Sequence, residues 1–327
     1  MVLLINILYS VLKVIKLQIV MSTAFFYHND CLDHKTGENH PEIPRRLAVI
    51  LDLLKLNEFK SLVVAEAQIA DLSLINLVHS KEYISKLYDH LPLTDLINLD
   101  ADTVMSTGTP VAARRAVGAV CDAVDYVMDS NNRNAFCAVR PPGHHARYNT
   151  AMGFCIFNNI AIGAKYAQVF KQVGRIAVVD FDVHHGNGTE ELFSGNDNLF
   201  YASSHQFPAY PGTGGVTNIA RNNIINVGLK PYSGSEAFRE AYEEKILPGL
   251  LNFNPELIML SAGFDGHKDD PLCQLNLVAE DFNWVTEELI KVALKCCQGR
   301  LVSVLEGGYH LGALKDCVAS HLSGLSG

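Results

Sequence analysis

The sequence predicts an α/β fold in which a mainly parallel sheet is flanked by helices in a single domain of 327 residues. Three observations carry this reading. Short runs rich in Val, Ile and Leu alternate with longer stretches of helical periodicity, as expected when strands are covered on both faces by crossover helices. Polar clusters sit at the C-terminal ends of those runs, where ligands bind in parallel sheets. No Pro/Gly/Ser-rich linker or internal repeat divides the chain.

Residues 1–20 are set apart. Val2 to Leu12 is strongly apolar, and Lys13 and Lys16 follow. The segment lacks the basic start and small-residue cleavage site of a secretory signal. Lys13 interrupts it well short of the roughly 20 apolar residues of a spanning helix. A helix lying on a membrane surface is the alternative. Residues 1–20 therefore read as an apolar extension, with Met21 as the functional start and residues 21–327 as the domain.

Ala24 to Tyr27 reads as a strand. A polar loop from His28 to Pro44 follows, whose His28, His34 and His40 are too loosely spaced for a metal set. Leu47, Ile50, Leu51 and Leu54 give Arg45 to Phe59 a helical period, and Ile75 to Tyr88 reads likewise. Asp100-Ala101-Asp102-Thr103 leads into a loop with Gly108 and Pro110. The Ala-rich stretch Val111 to Met128 is a long buried helix. Strands are then expected at Ala135–Val139, Arg175–Asp182, Leu199–Ser203, Ile224–Val227, Leu257–Ala262 and Leu301–Leu305. Helices are expected at Asn159–Val173, Ser235–Leu251 and Ala279–Cys296.

A net charge of -9 gives no basic face for phosphate, which argues against direct nucleic-acid binding. An acidic surface suits a cationic partner, or simply solvation. The eight cysteines form no Cys-x-x-Cys pair, so reduced thiols and a cytoplasmic location are expected.

The chemistry concentrates at Asp180-Phe181-Asp182-Val183-His184-His185-Gly186-Asn187-Gly188. Asp182 and His184 are two apart, so in extended backbone they share one side and offer a carboxylate–imidazole pair to Zn²⁺ or a similar ion. Asp265, after a buried strand and a glycine, is the best third ligand; a helix or turn cap is the alternative. His144-His145 follows a strand and a loop shaped by Pro141, Pro142 and Gly143, which suits a general acid/base pair. Each imidazole needs its other nitrogen oriented, with Asp180 and Asn187 as candidates. Tyr309, after Gly307-Gly308, could donate to a developing oxyanion or be a buried structural tyrosine.

Six ordered motifs carry a resemblance. Arg140-Pro141-Pro142-Gly143-His144-His145-Ala146, Gly153-Phe154-Cys155-Ile156-Phe157-Asn158-Asn159 and Asp180 to Thr189 come first. Tyr210-Pro211-Gly212-Thr213-Gly214, Gly263-Phe264-Asp265 and Glu306-Gly307-Gly308-Tyr309 complete the set. From Ala24 onward the chain resembles zinc-dependent histone deacetylases, most of all the class II branch and its bacterial amidohydrolase relatives. The resemblance implies a three-layer arginase/deacetylase-type α/β fold and hydrolysis of an N-acetyl amide. It implies one catalytic Zn²⁺ on Asp182, His184 and Asp265. His145 would be the general base, His144 held by Asp180 an electrostatic assistant, and Tyr309 the oxyanion donor. Gly153, Phe154 and Tyr210 would line a channel for an acetyl-lysine side chain in a protein or peptide. A structural K⁺ would sit on Asp180, Asp182, Ser203 and the His184 carbonyl.

Some residues depart from the family pattern. Arg147-Tyr148-Asn149-Thr150 stands where many relatives are acidic or otherwise polar, a departure expected to alter the channel rim. Asn187 stands where the class I branch has Asp. Leu272 stands where polyamine-specific relatives carry an acid, which leans towards acyl-lysine. The competing readings are a deacetylase of acetylpolyamines or other small N-acetyl amides, and a silent acyl-lysine-binding scaffold. A binuclear Mn²⁺ ureohydrolase would need a second set of metal ligands, and Fe²⁺ could replace Zn²⁺ on the same residues.

Overall fold

The structure, a computed structural model, describes residues 23–94, 96–129, 132–215 and 223–327. The proposed extension, residues 1–20, lies outside the described residues. In chain order the first half comprises β1 (Thr23–Tyr27), α1 (Arg45–Leu51), β2 (Val63–Glu66), α2 (Leu72–Ile75), α3 (Lys81–Asp89), β3 (Ile97–Asn98), β4 (Val104–Met105), α4 (Thr109–Met128) and β5 (Asn134–Ala138). Then come α5 (Asn159–Phe170), β6 (Ile176–Asp180), α6 (Asn187–Phe193), β7 (Leu199–Gln206), β8 (Ile224–Leu229) and α7 (Ser235–Ala241). The chain ends with α8 (Leu247–Phe253), β9 (Leu257–Ala262), α9 (Ala279–Cys296), β10 (Leu301–Leu305) and α10 (Leu311–Ser326).

Eight strands form one sheet in the order β2-β1-β5-β10-β9-β6-β7-β8. Every pairing in it is parallel. Every residue of β5, β6, β7, β9 and β10 is buried, which is why these strands read as largely apolar runs rather than as alternating patterns. Helix α4 packs on β1, β5 and β10 and against α5, while α9 packs on α10. No helix among the described residues is long and apolar enough to cross a membrane.

Several expected elements are cut differently. The helix expected over Arg45–Phe59 stops at Leu51 and continues as two tighter turns, Asp52–Lys55 and Asn57–Phe59, which bury Leu53 and Phe59. The helix expected over Ile75–Tyr88 is interrupted before Ser80. There the Ser80 N–H leaves the helical pattern for the Tyr148 carbonyl at 3.0 Å, and the Ser80 hydroxyl caps α3 through Tyr83 N–H at 3.1 Å. Between α7 and α8 the helix widens into a π turn, Tyr242–Ile246. Pro248, in the first turn of α8, has no N–H to donate and forces that adjustment. The sequence did not reveal β2, α2, the antiparallel β3–β4 pair, α6 or α10.

Register sets up the site. Asp180 at the end of β6 faces Ser203 on β7 and Ser261 on β9, and Leu305 on β10 faces Ala262 on β9. The loops after β5, β10, β9, β6 and β7 therefore leave the same edge of the sheet side by side.

Candidate metal centre and active site

The central strand stops at Asp180, two residues short of the expected end. Asp180 Oδ1 accepts the Asp182 N–H at 3.1 Å, and Asp182 Oδ1 accepts the His184 N–H at 2.9 Å. Two successive Asx-type turns thus curl the chain beyond the strand. They bring Asp182 and His184 together, in place of the extended alternation expected from sequence.

Asp265 arrives from the loop after β9. Its Oδ1 accepts the Val183 N–H at 3.0 Å, and its Oδ2 lies 3.1 Å from His184 Nδ1. The same nitrogen is 3.2 Å from Asp182 Oδ1. One ligand atom from each of the three residues falls within 4.8 Å of the others, all buried. A tetrahedral zinc ion with bonds of about 2.0–2.1 Å separates its ligands by roughly 3.3 Å, so this donor set fits zinc. Asp180, Asp182, Asp265 and Glu306 are at most 1% exposed, and burial raises Asp180, Asp265 and Glu306, the last to about 7, so a divalent cation would favour the ionised form of this carboxyl cluster. Burial disfavours charge on His184, but hydrogen bonds to Asp182 and Asp265 outweigh it and hold the ring well above its ordinary value. Gly307 N–H donates to Asp182 Oδ2 at 2.8 Å, and a Cβ at Gly307 would collide with the Asp182 and Asp265 carboxylates. Only glycine lets the backbone come so close.

The tandem histidines are held from below. Glu306 Oε2 accepts the N–H groups of Gly143 at 2.6 Å and His144 at 3.2 Å, while its Oε1 accepts the Ser261 hydroxyl at 3.1 Å. His144 Nδ1 lies 3.0 Å from Asp180 Oδ2, to which Tyr201 also donates at 3.0 Å. His145 Nδ1 lies 2.8 Å from Asn187 Oδ1. The two rings are 4.0 Å apart, yet their electrostatics diverge. Burial opposes charge on His144, but Asp180, Asp182 and Glu306 prevail and lift it to about 10. Burial, then the neighbouring His144 and His184, hold His145 well below its ordinary value. The surroundings thus push the two rings in opposite directions, one towards the charged and one towards the neutral form.

A cavity of about 230 Å³ ends on His145 and His184. Gly153, Phe154, Tyr210, Leu272 and Tyr309 line it, together with Asp102. The Tyr210 ring stands edge-on to His145 at 5.2 Å, and Phe154 edge-on to Tyr309 at 5.7 Å. Burial pushes the Tyr309 phenol well above its ordinary value, against the pull of Arg46, so it remains a proton donor. The Arg46 guanidinium sits 4.7 Å from the centre of the Tyr309 ring.

The profile of the histone deacetylase domain matches residues 40–325. This chain belongs to the histone deacetylase family. It is 41% identical to Type-2 histone deacetylase 2 of Dictyostelium discoideum over 93% of this chain, spanning 21% of that longer protein. It is 34% identical to a histone deacetylase-like amidohydrolase of Pseudomonas aeruginosa, over 93% of this chain and 86% of the relative. The crystal structure of the HDA15 HD domain superposes with a TM-score of 0.86 at 30% identity, covering 94% of this chain and 88% of that one. The fold is accordingly the arginase/deacetylase-type α/β arrangement, in a zinc-dependent family of deacetylase hydrolases.

Within this deacetylase frame the remaining residues separate. Ser203 faces Asp180 across the β6–β7 register, and its hydroxyl lies 2.8 Å from His205 Nδ1. His185 turns away from the three ligands to Thr213 at 2.7 Å and Glu190 at 2.8 Å. His34 bonds Thr109, and His40 packs edge-on behind Phe154, so neither joins the ligand cluster.

Three residues at the site escaped the sequence reading. Asp102 lines the channel and accepts the Gly153 N–H at 3.2 Å; the paired acids at 100 and 102 were its only signal. Glu306 was quoted as motif without a role. Cys273 Sγ lies 3.5 Å from His184 Nε2, where the ring N–H can donate to sulfur and fix the tautomer that presents Nδ1. Nothing in the sequence signalled that contact.

Proposed function

We propose that this chain is a zinc-dependent amidohydrolase that removes acetyl groups from N6-acetyl-lysine in proteins or peptides. The carrying observation is the narrow channel, walled by Phe154, Tyr210 and Tyr309, that ends on the Asp182–His184–Asp265 cluster and His145. Burying the four methylenes of a lysine between such walls contributes about 3 kcal/mol, at roughly 0.8 per methylene. Leu272 at the mouth is 38% exposed and apolar, which suits an uncharged acyl-lysine better than a polyamine cation.

Asp182, His184 and Asp265 would hold the zinc, which would supply Lewis acidity and lower the pKa of water towards neutral. His145 donates its Nδ1–H to Asn187, leaving Nε2 free to take a proton from water and return it to the leaving amine. His144 keeps its positive charge on Asp180 and stabilises the anionic transition state without exchanging its own proton. Tyr309 donates its phenolic proton in a hydrogen bond to the carbonyl oxygen as it becomes negative. A K⁺ ion on Asp180, Asp182, Ser203 and the His184 carbonyl would offset the buried carboxylates beneath. The eight free cysteines suit a reducing, cytoplasmic setting.

Turnover of an acetyl-lysine peptide beside acetylputrescine tests this reading. The peptide should have the higher kcat/KM; faster turnover of the polyamine would overturn the assignment in favour of a small N-acetyl amide.

A further inference from the structure

Beside the channel lies a larger groove of about 760 Å³. Tyr83 and Leu87 of α3 and Ile97 and Leu99 of the hairpin form its apolar side, and the exposed Tyr148 flanks it. The floor is fixed, because the Tyr83 hydroxyl donates to the Ile156 carbonyl at 2.7 Å. The exposed amides of Asn98 and Asn149 stand at the edge, suited to main-chain hydrogen bonding.

The groove and the channel share two walls. Leu99 and Ala151 line the groove, while Asp102 and Gly153 line the channel. The walls are pinned to each other where they meet, by Gly153 N–H on Asp102 at 3.2 Å and Phe154 N–H on Thr103 at 3.0 Å. Three residues of chain span at most about 10 Å, so the groove begins within roughly that distance of the channel mouth. A polypeptide with one lysine in the channel that leaves the mouth in extended form advances about 3.3 Å per residue. Its third or fourth neighbour then reaches the apolar side of the groove. A small N-acetyl amine would end at the mouth and touch none of it.

We propose that this groove is a subsite for the polypeptide flanking the acyl-lysine and takes an apolar side chain three to four residues away. This inference rests on the acetyl-lysine reading above. The test compares kcat/KM for acetyl-lysine carrying only blocking groups with that for twelve-residue peptides bearing Leu or Asp at the third and fourth positions on either side. The enzymes compared are the wild type, Lys86→Trp and Glu82→Trp; both variants place a bulky ring in the groove from exposed positions on α3 that line the groove and not the channel. A Leu-bearing peptide should gain roughly tenfold, well within what burying one leucine side chain supplies. Either tryptophan should remove that gain and leave the blocked substrate unchanged. Equal turnover of Leu, Asp and blocked substrates by the wild type, or a gain that survives both tryptophans, would overturn the subsite while the acetyl-lysine reading stands. If no acetyl-lysine substrate is turned over, the parent reading fails and the subsite falls with it.

Discussion

His145 Nδ1 lies 2.8 Å from the side-chain oxygen of Asn187, so its N–H points away from the channel and Nε2 faces in. An amide accepts that bond without adding charge, so it raises the ring less than a carboxylate would, and burial with the neighbouring His144 and His184 prevails. A carboxylate in its place would favour the protonated ring. Asn187→Asp should therefore move the acid limb of the kcat/KM profile to higher pH, since activity needs the neutral base. His145→Ala should lower kcat by about 10²–10⁴. A pH–rate profile of the three enzymes reads both effects, and an unmoved acid limb in Asn187→Asp would count against His145 as the base.

Tyr309→Phe removes one hydrogen-bond donor and keeps the ring on Arg46 and Phe154. The expected result is a fall in kcat of about 10²–10³ with KM little changed, because the bond strengthens only in the transition state. A loss confined to KM would make Tyr309 a packing residue.

Chelation should abolish activity, and added zinc should restore it. Binding to the folded state alone also raises stability, by about 2.7 kcal/mol at a hundredfold excess over Kd. Thermal melting with and without zinc should show this shift for the wild type. Asp265→Asn should lose most of it, because the amide brings no charge to the ion.

Glu306 touches no substrate, yet it holds the loop of both histidines through Gly143 and His144. Glu306→Gln keeps an acceptor oxygen and should retain more activity than Glu306→Ala, which leaves two buried N–H groups unpaired at about 1–3 kcal/mol each. Equal activity of the two variants in folded protein would remove this positioning role.

Acid should unfold the protein through two buried groups that are not themselves part of the ligand cluster. Burial alone would raise the Glu42 carboxyl, but Arg140, His34 and Arg46 hold it well below its ordinary 4.5. Its stabilisation is complete above the unfolded value and drains as pH falls below it. His321 is buried between Thr286 at 2.6 Å and Ser303 at 2.8 Å, and burial lowers its ring from 6.5 to about 3. The unfolded ring takes up a proton first, so stability falls by up to roughly 1.4 kcal/mol per pH unit below 6.5. Melting temperatures between pH 7 and 4 should fall less steeply for His321→Gln than for the wild type. Glu42→Gln should cost about 3–5 kcal/mol at pH 7 by stranding the arginines.

The sequence was legible wherever one physical rule acted alone. Strands buried on both faces had to be apolar throughout, so β6, β9 and β10 were readable as runs, and the polar residues after them marked the site. Helix interruptions were less readable, because they depend on distant partners such as Tyr148 for Ser80. The pairing of Asp182 with His184 was anticipated for the wrong reason, since alternation in a strand and a pair of Asx turns both put residues two apart on one side. Cys273 was invisible, because its contact with His184 crosses 89 residues of chain.

By itself, then, the sequence determined the α/β class, the family and the residue types able to hold a metal, all of which follow from local pattern and short motifs. Only the tertiary structure decided the geometry among them. Parallel register brings Asp180, Ser261 and Leu305 to one edge, and with them the loops that carry His144, His184, Asp265 and Tyr309. The opposite shifts of the two histidines come from their three-dimensional surroundings: against burial, Asp180, Asp182 and Glu306, from the ends of β6 and β10, raise His144, while burial and the rings of His144 and His184 lower His145.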